Sequence, residues 1–259
     1  MSDAETTRPL GTVKAFAAYL RAPAVIAPLG LRNARGWREL ALLFLLQAIV
    51  LLAVVLPLMV VWQEQFGLTG PDAFDEVPDG WFLPLTILIA PVLEEFFFRG
   101  WLTGRKRALW LFACAVAAGA LLYASTLDLN ALVIGGLLLV VIIAAPVGWF
   151  LLRKRAEPPR WFTRAFPAIF YLVVLGFAAL HLSNYSNWSL LILPLVLPQL
   201  WIGLMLGYIR MRVGLIGSIL AHILSNSAVL APHSGRPPSR IDPDACTCAC
   251  DRSCVASPR

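Results

Sequence analysis

The run Ala131-Leu-Val-Ile-Gly-Gly-Leu-Leu-Leu-Val-Val-Ile-Ile-Ala-Ala-Pro-Val-Gly-Trp-Phe-Leu-Leu152 carries no charged side chain over its whole length. About 20 mostly apolar residues in a helix cross a bilayer core, so this run is a membrane span rather than a core helix. Six more runs extend the pattern: 39–62, 81–104, 108–126, 166–183, 188–209 and 214–231. The runs 108–126 and 166–183 are short, and 188–209 carries Pro194 and Pro198, where kinks or tilts are expected. Composition agrees. Of 259 residues 59% are hydrophobic and only 14% charged, with mean hydropathy +0.76, whereas a soluble domain is nearer a quarter charged. The expected fold is all-α, a polytopic membrane helix bundle of about seven spans.

Loop charges orient it. Arg32, Arg35 and Arg38 precede the first span, and Asp72, Asp75, Glu76 and Asp79 follow it. Arg105, Lys106 and Arg107 follow the second, and Asp128 the third. Arg153, Lys154, Arg155, Arg160 and Arg164 follow the fourth, neutral Ser183 to Asn187 the fifth, and Arg210 and Arg212 the sixth. Positively charged loops face the cytoplasm, so this alternation predicts a cytoplasmic N-terminus. The net charge of +6 then reflects topology and not a nucleic-acid partner. The first apolar run begins too far in, and is too long, for a cleavable signal peptide. Residues 1–38 mix basic and apolar side chains, as in a cytoplasmic segment lying on the bilayer surface. Residues 39–231 form the bundle, and 232–259 a tail expected to be disordered. The tail holds Cys246, Cys248, Cys250 and Cys254, whose spacing is not that of a standard zinc site. Outside the membrane, incidental disulfides are permitted there.

Charge is costly in hydrocarbon, at roughly 2.5–3.5 kcal/mol per ionised side chain at a helix centre. Glu94, Glu95 and Arg99 nevertheless fall within Pro91-Val-Leu-Glu-Glu-Phe-Phe-Phe-Arg99. Residues four apart share a helix face, so Glu95 and Arg99 can pair with the acid N-terminal to the base. Glu94, rotated by about 100°, stays free to face another helix. His181 ends Phe177-Ala-Ala-Leu-His181, and His222 opens His222-Ile-Leu-Ser-Asn226 with both ends on one face. A free carboxylate can act as general base on a water that a histidine helps to hold, and His222 and Asn226 can donate to an oxyanion. These are the parts of a peptide-bond hydrolase. Taken singly, a membrane histidine or asparagine is more often interhelical glue, and Phe177 is most simply a packing residue; the adjacent carboxylates carry the argument.

Glu94-Glu95-x-x-x-Arg99, then Phe177-x-x-x-His181, then His222-x-x-x-Asn226, with the continuation Phe98-Arg-Gly-Trp-Leu102, resembles the CPBP family of intramembrane proteases. That family includes CAAX prenyl endopeptidases of the Rce1 type and bacterial abortive-infection and bacteriocin-processing proteins. The resemblance covers about 82–230. It implies that Glu94 activates the water, that Glu95 and Arg99 support it, that His181 helps bind water or metal, and that His222 and Asn226 stabilise the oxyanion. Both a metal-free glutamate mechanism and a zinc site of Glu94, His181 and His222 are compatible with it; no His-Glu-x-x-His is present. The chain departs from the family pattern by a two-span insertion, about 108–152, between the first two motifs. An even number of spans keeps their relative orientation, although His181 falls nearer the opposite end of its span.

The expected function is intramembrane endopeptidase, acting on a membrane-associated protein or peptide in a bacterial inner membrane. The alternatives are a non-catalytic membrane partner or bacteriocin immunity or scaffold protein, and a proton-coupled transporter, since carboxylates and histidines in spans also form relays.

Overall fold

The computed structural model describes residues 9–73, 77–127, 130–155 and 157–230. Asp75, Glu76, Asp128, the side chain of Asp79 and the four tail cysteines lie outside the described residues. All the regular structure described is helical. Helix α1 is Pro9–Arg21. Six helices are long and apolar enough to cross a membrane: α2 Ala34–Phe66, α3 Gly80–Arg99, α4 Lys106–Ser125, α5 Ala131–Leu152, α6 Arg160–Asn184 and α7 Leu190–Arg212. The seventh expected span is α8, Leu215–Leu230. Its 16 residues reach about 24 Å, short of a full hydrocarbon core.

Local chemistry sets the boundaries. The Asn33 side chain accepts from the Gly36 N–H at 2.9 Å, so α2 begins earlier than its apolar run. It ends at Gly67, where φ is +57° and a side chain would be strained. In α7 the chain changes from a 3₁₀ turn, Leu190–Val196, to α-helix between Pro194 and Pro198.

The interior lies between α6 and α7. Phe162, Phe166, Phe170, Val174 and Phe177 are fully buried and recur at helical spacing along α6. They meet Gly203 and Gly207 on α7; a Cβ on Gly207 would stand 2.7 Å from the Phe170 ring. Small residues four apart allow this close approach. The outward faces are apolar too, with Leu132 86% and Leu172 67% exposed, which fits a lipid solvent.

The inserted pair of spans does not separate the motif helices. Helices α4 and α5 pack mainly on each other; α4 buries no residue and α5 only Ile134. The hairpin stands at the periphery, so α3 and α6 touch directly, with Phe98 and Phe177 ring centroids 5.4 Å apart.

Residues before α2 are docked and not merely apposed to a surface. Phe16 and Tyr19 of α1 are buried against Trp201, Tyr208 and Phe170. Burial drives the Tyr19 phenol well above its ordinary pKa, helped by the nearby Tyr208. Leu29 and Gly30 N–H groups donate to the Arg212 and Val213 carbonyls at 2.9 and 3.0 Å, tying this segment to the α7–α8 turn.

Candidate active site

Helix α3 carries the carboxylates and is irregular for a reason its sequence supplies. Pro84 and Pro91 each lack an N–H, and the helix contains two π turns, Pro84–Ile89 and Glu95–Arg99. Such turns recur at functional sites. The second presents Glu95 and Arg99 inward, both with no exposed surface.

Glu95 is saturated. Its Oε1 accepts from Arg99 Nη1 and from His222 Nδ1 at 3.0 Å, and its Oε2 accepts from the Ser218 hydroxyl. The Arg99 guanidinium carbon sits 4.5 Å from the Phe177 ring centroid, while its Nε and Nη2 are buried without an acceptor. The ring face thus supplies part of the negative potential this cation faces.

Glu94 is different. Its side chain keeps 22% exposure, and among the described residues its polar partner is His222, with Oε2 3.7 Å from Nε2. A carboxylate can only accept, so His222 Nδ1 carries the hydrogen given to Glu95, and Nε2 is the atom turned toward Glu94. The gap is too long for a hydrogen bond, and one water about 2.8 Å from each atom would bridge it.

His181 and Asn226 stand apart from this centre. His181 Nδ1 donates to the Phe177 carbonyl at 2.8 Å, which leaves Nε2 as the ring's acceptor in the neutral form. Its ring lies 4.8 Å from that of Phe177, and His222 approaches the same ring at 5.8 Å. Phe177 is therefore the hub between the two histidines and the Arg99 cation, and His181 has no contact with either glutamate. Asn226 donates to the Thr86 carbonyl at 2.8 Å. Among the described residues no group of three or more His, Cys, Asp or Glu side chains could hold a metal ion. Glu94, His181 and His222, the zinc set that the resemblance allowed as one alternative, are not brought together in this arrangement.

Two residues escaped sequence reasoning. Ser218 lies one turn before His222 on the same face of α8, a spacing that could have exposed it. Arg210 counted there only as a loop charge. In the fold it is 7% exposed, and its Nε and Nη2 donate to the Arg99 and Gly100 carbonyls at 2.7 and 3.3 Å. It caps the C-terminal end of the π turn, where a cation also complements the helix dipole.

The family model for Type II CAAX prenyl endopeptidase Rce1-like proteins matches residues 77–228. That range opens before α3, closes within α8 and contains all six motif residues. No curated protein and no solved structure matches the chain. With more than half of its length matched and six helices able to cross a bilayer, the chain is a multi-pass membrane protein that belongs to the Rce1-like family of Type II CAAX prenyl endopeptidases.

Proposed function

We propose that the protein is an intramembrane endopeptidase whose water is activated by Glu94. The observation that carries this reading is the inequality of the two carboxylates. Glu95 is fully hydrogen-bonded and buried, whereas Glu94 retains exposure and an unengaged oxygen opposite His222 Nε2. A water held between these atoms loses a proton to Glu94 as its oxygen attacks the scissile carbonyl. Glu95 fixes the His222 ring through Nδ1, and Arg99 and Ser218 fix Glu95. The tetrahedral oxyanion would be met at Nε2, the one His222 ring nitrogen that Glu95 does not hold, and by the second amide hydrogen of Asn226. Glu94 then passes its proton to the leaving amine. His181, on the far side of the Phe177 ring, would contact the substrate and not the water held by Glu94.

The substrate class is a peptide or protein segment associated with the membrane. A cytoplasmic N-terminus in a bacterial inner membrane is part of the same proposal, on the strength of the loop arginines.

The test compares wild type with Glu94→Gln, which keeps the shape and removes the ionisable group. Both are purified in detergent and incubated with a membrane-peptide library read by mass spectrometry, with and without chelator. Cleavage by wild type alone, surviving chelator, is the expected result. Equal cleavage by both proteins would remove Glu94 from the mechanism, and abolition by chelator would replace the metal-free reading.

A further inference from the structure

A groove of about 830 Å³ runs between α3, the α4–α5 hairpin and the α7–α8 turn, and none of Glu94, Glu95, His181, His222 or Asn226 lines it. Its volume lies in the upper range of ligand sites. Leu93, Phe96, Phe97, Leu111, Phe112 and Ile216 make an apolar trough, closed on one side by the Trp101–Phe112 stack at 4.3 Å. The charged residues on its wall are all arginines: Arg105, Arg107 and Arg210. Arg107 stands 5.8 Å over the Trp149 ring. Among the described residues no acidic side chain lines the groove. Like charges converging beside an apolar trough are stabilised by an anion that carries hydrocarbon.

We propose that this groove binds one anionic phospholipid, its acyl chains along the α3 and α4 wall and its phosphate at Arg105 and Arg107. Basic pockets between membrane helices take anionic headgroups in this way. Arg210 also holds the end of the π turn that carries Glu95 and Arg99, so a bound phosphate would face the outer side of the candidate site. The proposal is independent of whether that site is catalytic.

The test is native mass spectrometry of the full chain in detergent, titrated with phosphatidylglycerol or with phosphatidylcholine of the same acyl chains. Wild type should retain one phosphatidylglycerol. Arg105→Gln/Arg107→Gln should weaken its retention roughly thirtyfold, the loss of two headgroup charges, without a change in thermal midpoint. Ala115→Trp, which fills the trough, should remove binding of both lipids. Equal affinity for the two lipids, or equal retention by wild type and the double arginine variant, would overturn the proposal. So would displacement of the lipid by free glycerol phosphate, which has the headgroup chemistry and no chains.

Discussion

Asn226 donates to the Thr86 carbonyl at 2.8 Å, and Thr86 has that carbonyl to offer because of Pro91. In the π turn Pro84–Ile89 the Ala90 N–H reaches back to Leu85. The donor due to Thr86 in that register is residue 91, a proline without an N–H. Asn226 replaces it and ties α3 to α8 one turn from His222.

Asn226→Ala should therefore destabilise the fold by about 1–3 kcal/mol, the cost of an unsatisfied buried acceptor. Adding Pro91→Ala should recover part of that loss by restoring a backbone donor. Thermal unfolding of the four proteins in detergent measures the coupling; strictly additive effects would show that the two positions do not share the Thr86 carbonyl.

Arg99→Leu leaves Glu95 buried beside His222 and Ser218 with its main cation gone. A loss of about 3–5 kcal/mol is expected for breaking a buried pair from one side. Arg99→Leu with Glu95→Leu should cost less than Arg99→Leu alone, since no bare charge remains. A double variant at least as unstable as the single would mean that packing at Phe177, and not charge, sets the cost.

Gly207→Ala places a Cβ 2.7 Å from the Phe170 ring edge. The α6–α7 contact must open, and a cost of about 1–3 kcal/mol is expected for overpacking. Phe170→Leu in the same chain should offset part of it. If Gly207→Ala is neutral alone, the close approach of these helices is not what holds the interior together.

What the sequence made legible was local. Glu95 and Arg99 pair as their spacing requires, because an i, i+4 contact depends only on the helix that carries it. Which glutamate would be saturated from α8 was not legible. That depends on the rotation of α3, set by two π turns, and on a serine one turn before His222. Arg210 was hidden for a different reason: near a span end, an arginine that orients the chain and one that caps a buried carbonyl have the same local signature. The inserted spans 108–152 were visible as helices, but only the fold puts them at the edge, where α3 and α6 can meet.

Two extramembrane loops offer a pH-sensitive contact. The Ser186 N–H donates to both Asp72 carboxylate oxygens at 3.1 Å, and its hydroxyl donates to Oδ2. These bonds, the hydroxyl's first, hold the Asp72 pKa below its ordinary 3.8. A lowered folded pKa means that the contribution is present in full above the unfolded value and is lost as pH falls through the folded one. Hydrogen exchange at Ser186 should stay protected down to the ordinary carboxylate value of 3.8 and lose protection only as pH falls through the lower folded pKa. Ser186→Ala should raise the Asp72 pKa toward 3.8. Protection that stays constant through the acid range would show that the carboxylate does not hold these loops.

The two adjacent glutamates should separate in stability as they do in geometry. Glu94→Gln removes a charge that keeps 22% exposure and makes no hydrogen bond among the described residues, so its thermal midpoint should stay close to wild type. Glu95→Gln removes the carboxylate that accepts from Arg99, Ser218 and His222 with no exposed surface. Arg99 is then a buried cation without its counter-charge, and the cost should approach about 3–5 kcal/mol. Activity alone cannot distinguish the two residues, because a disordered His222 would silence the site as surely as a missing base. Stability can: a Glu95 variant as stable as wild type would mean that Arg99 finds another partner, and the division of labour between the carboxylates would fall with it.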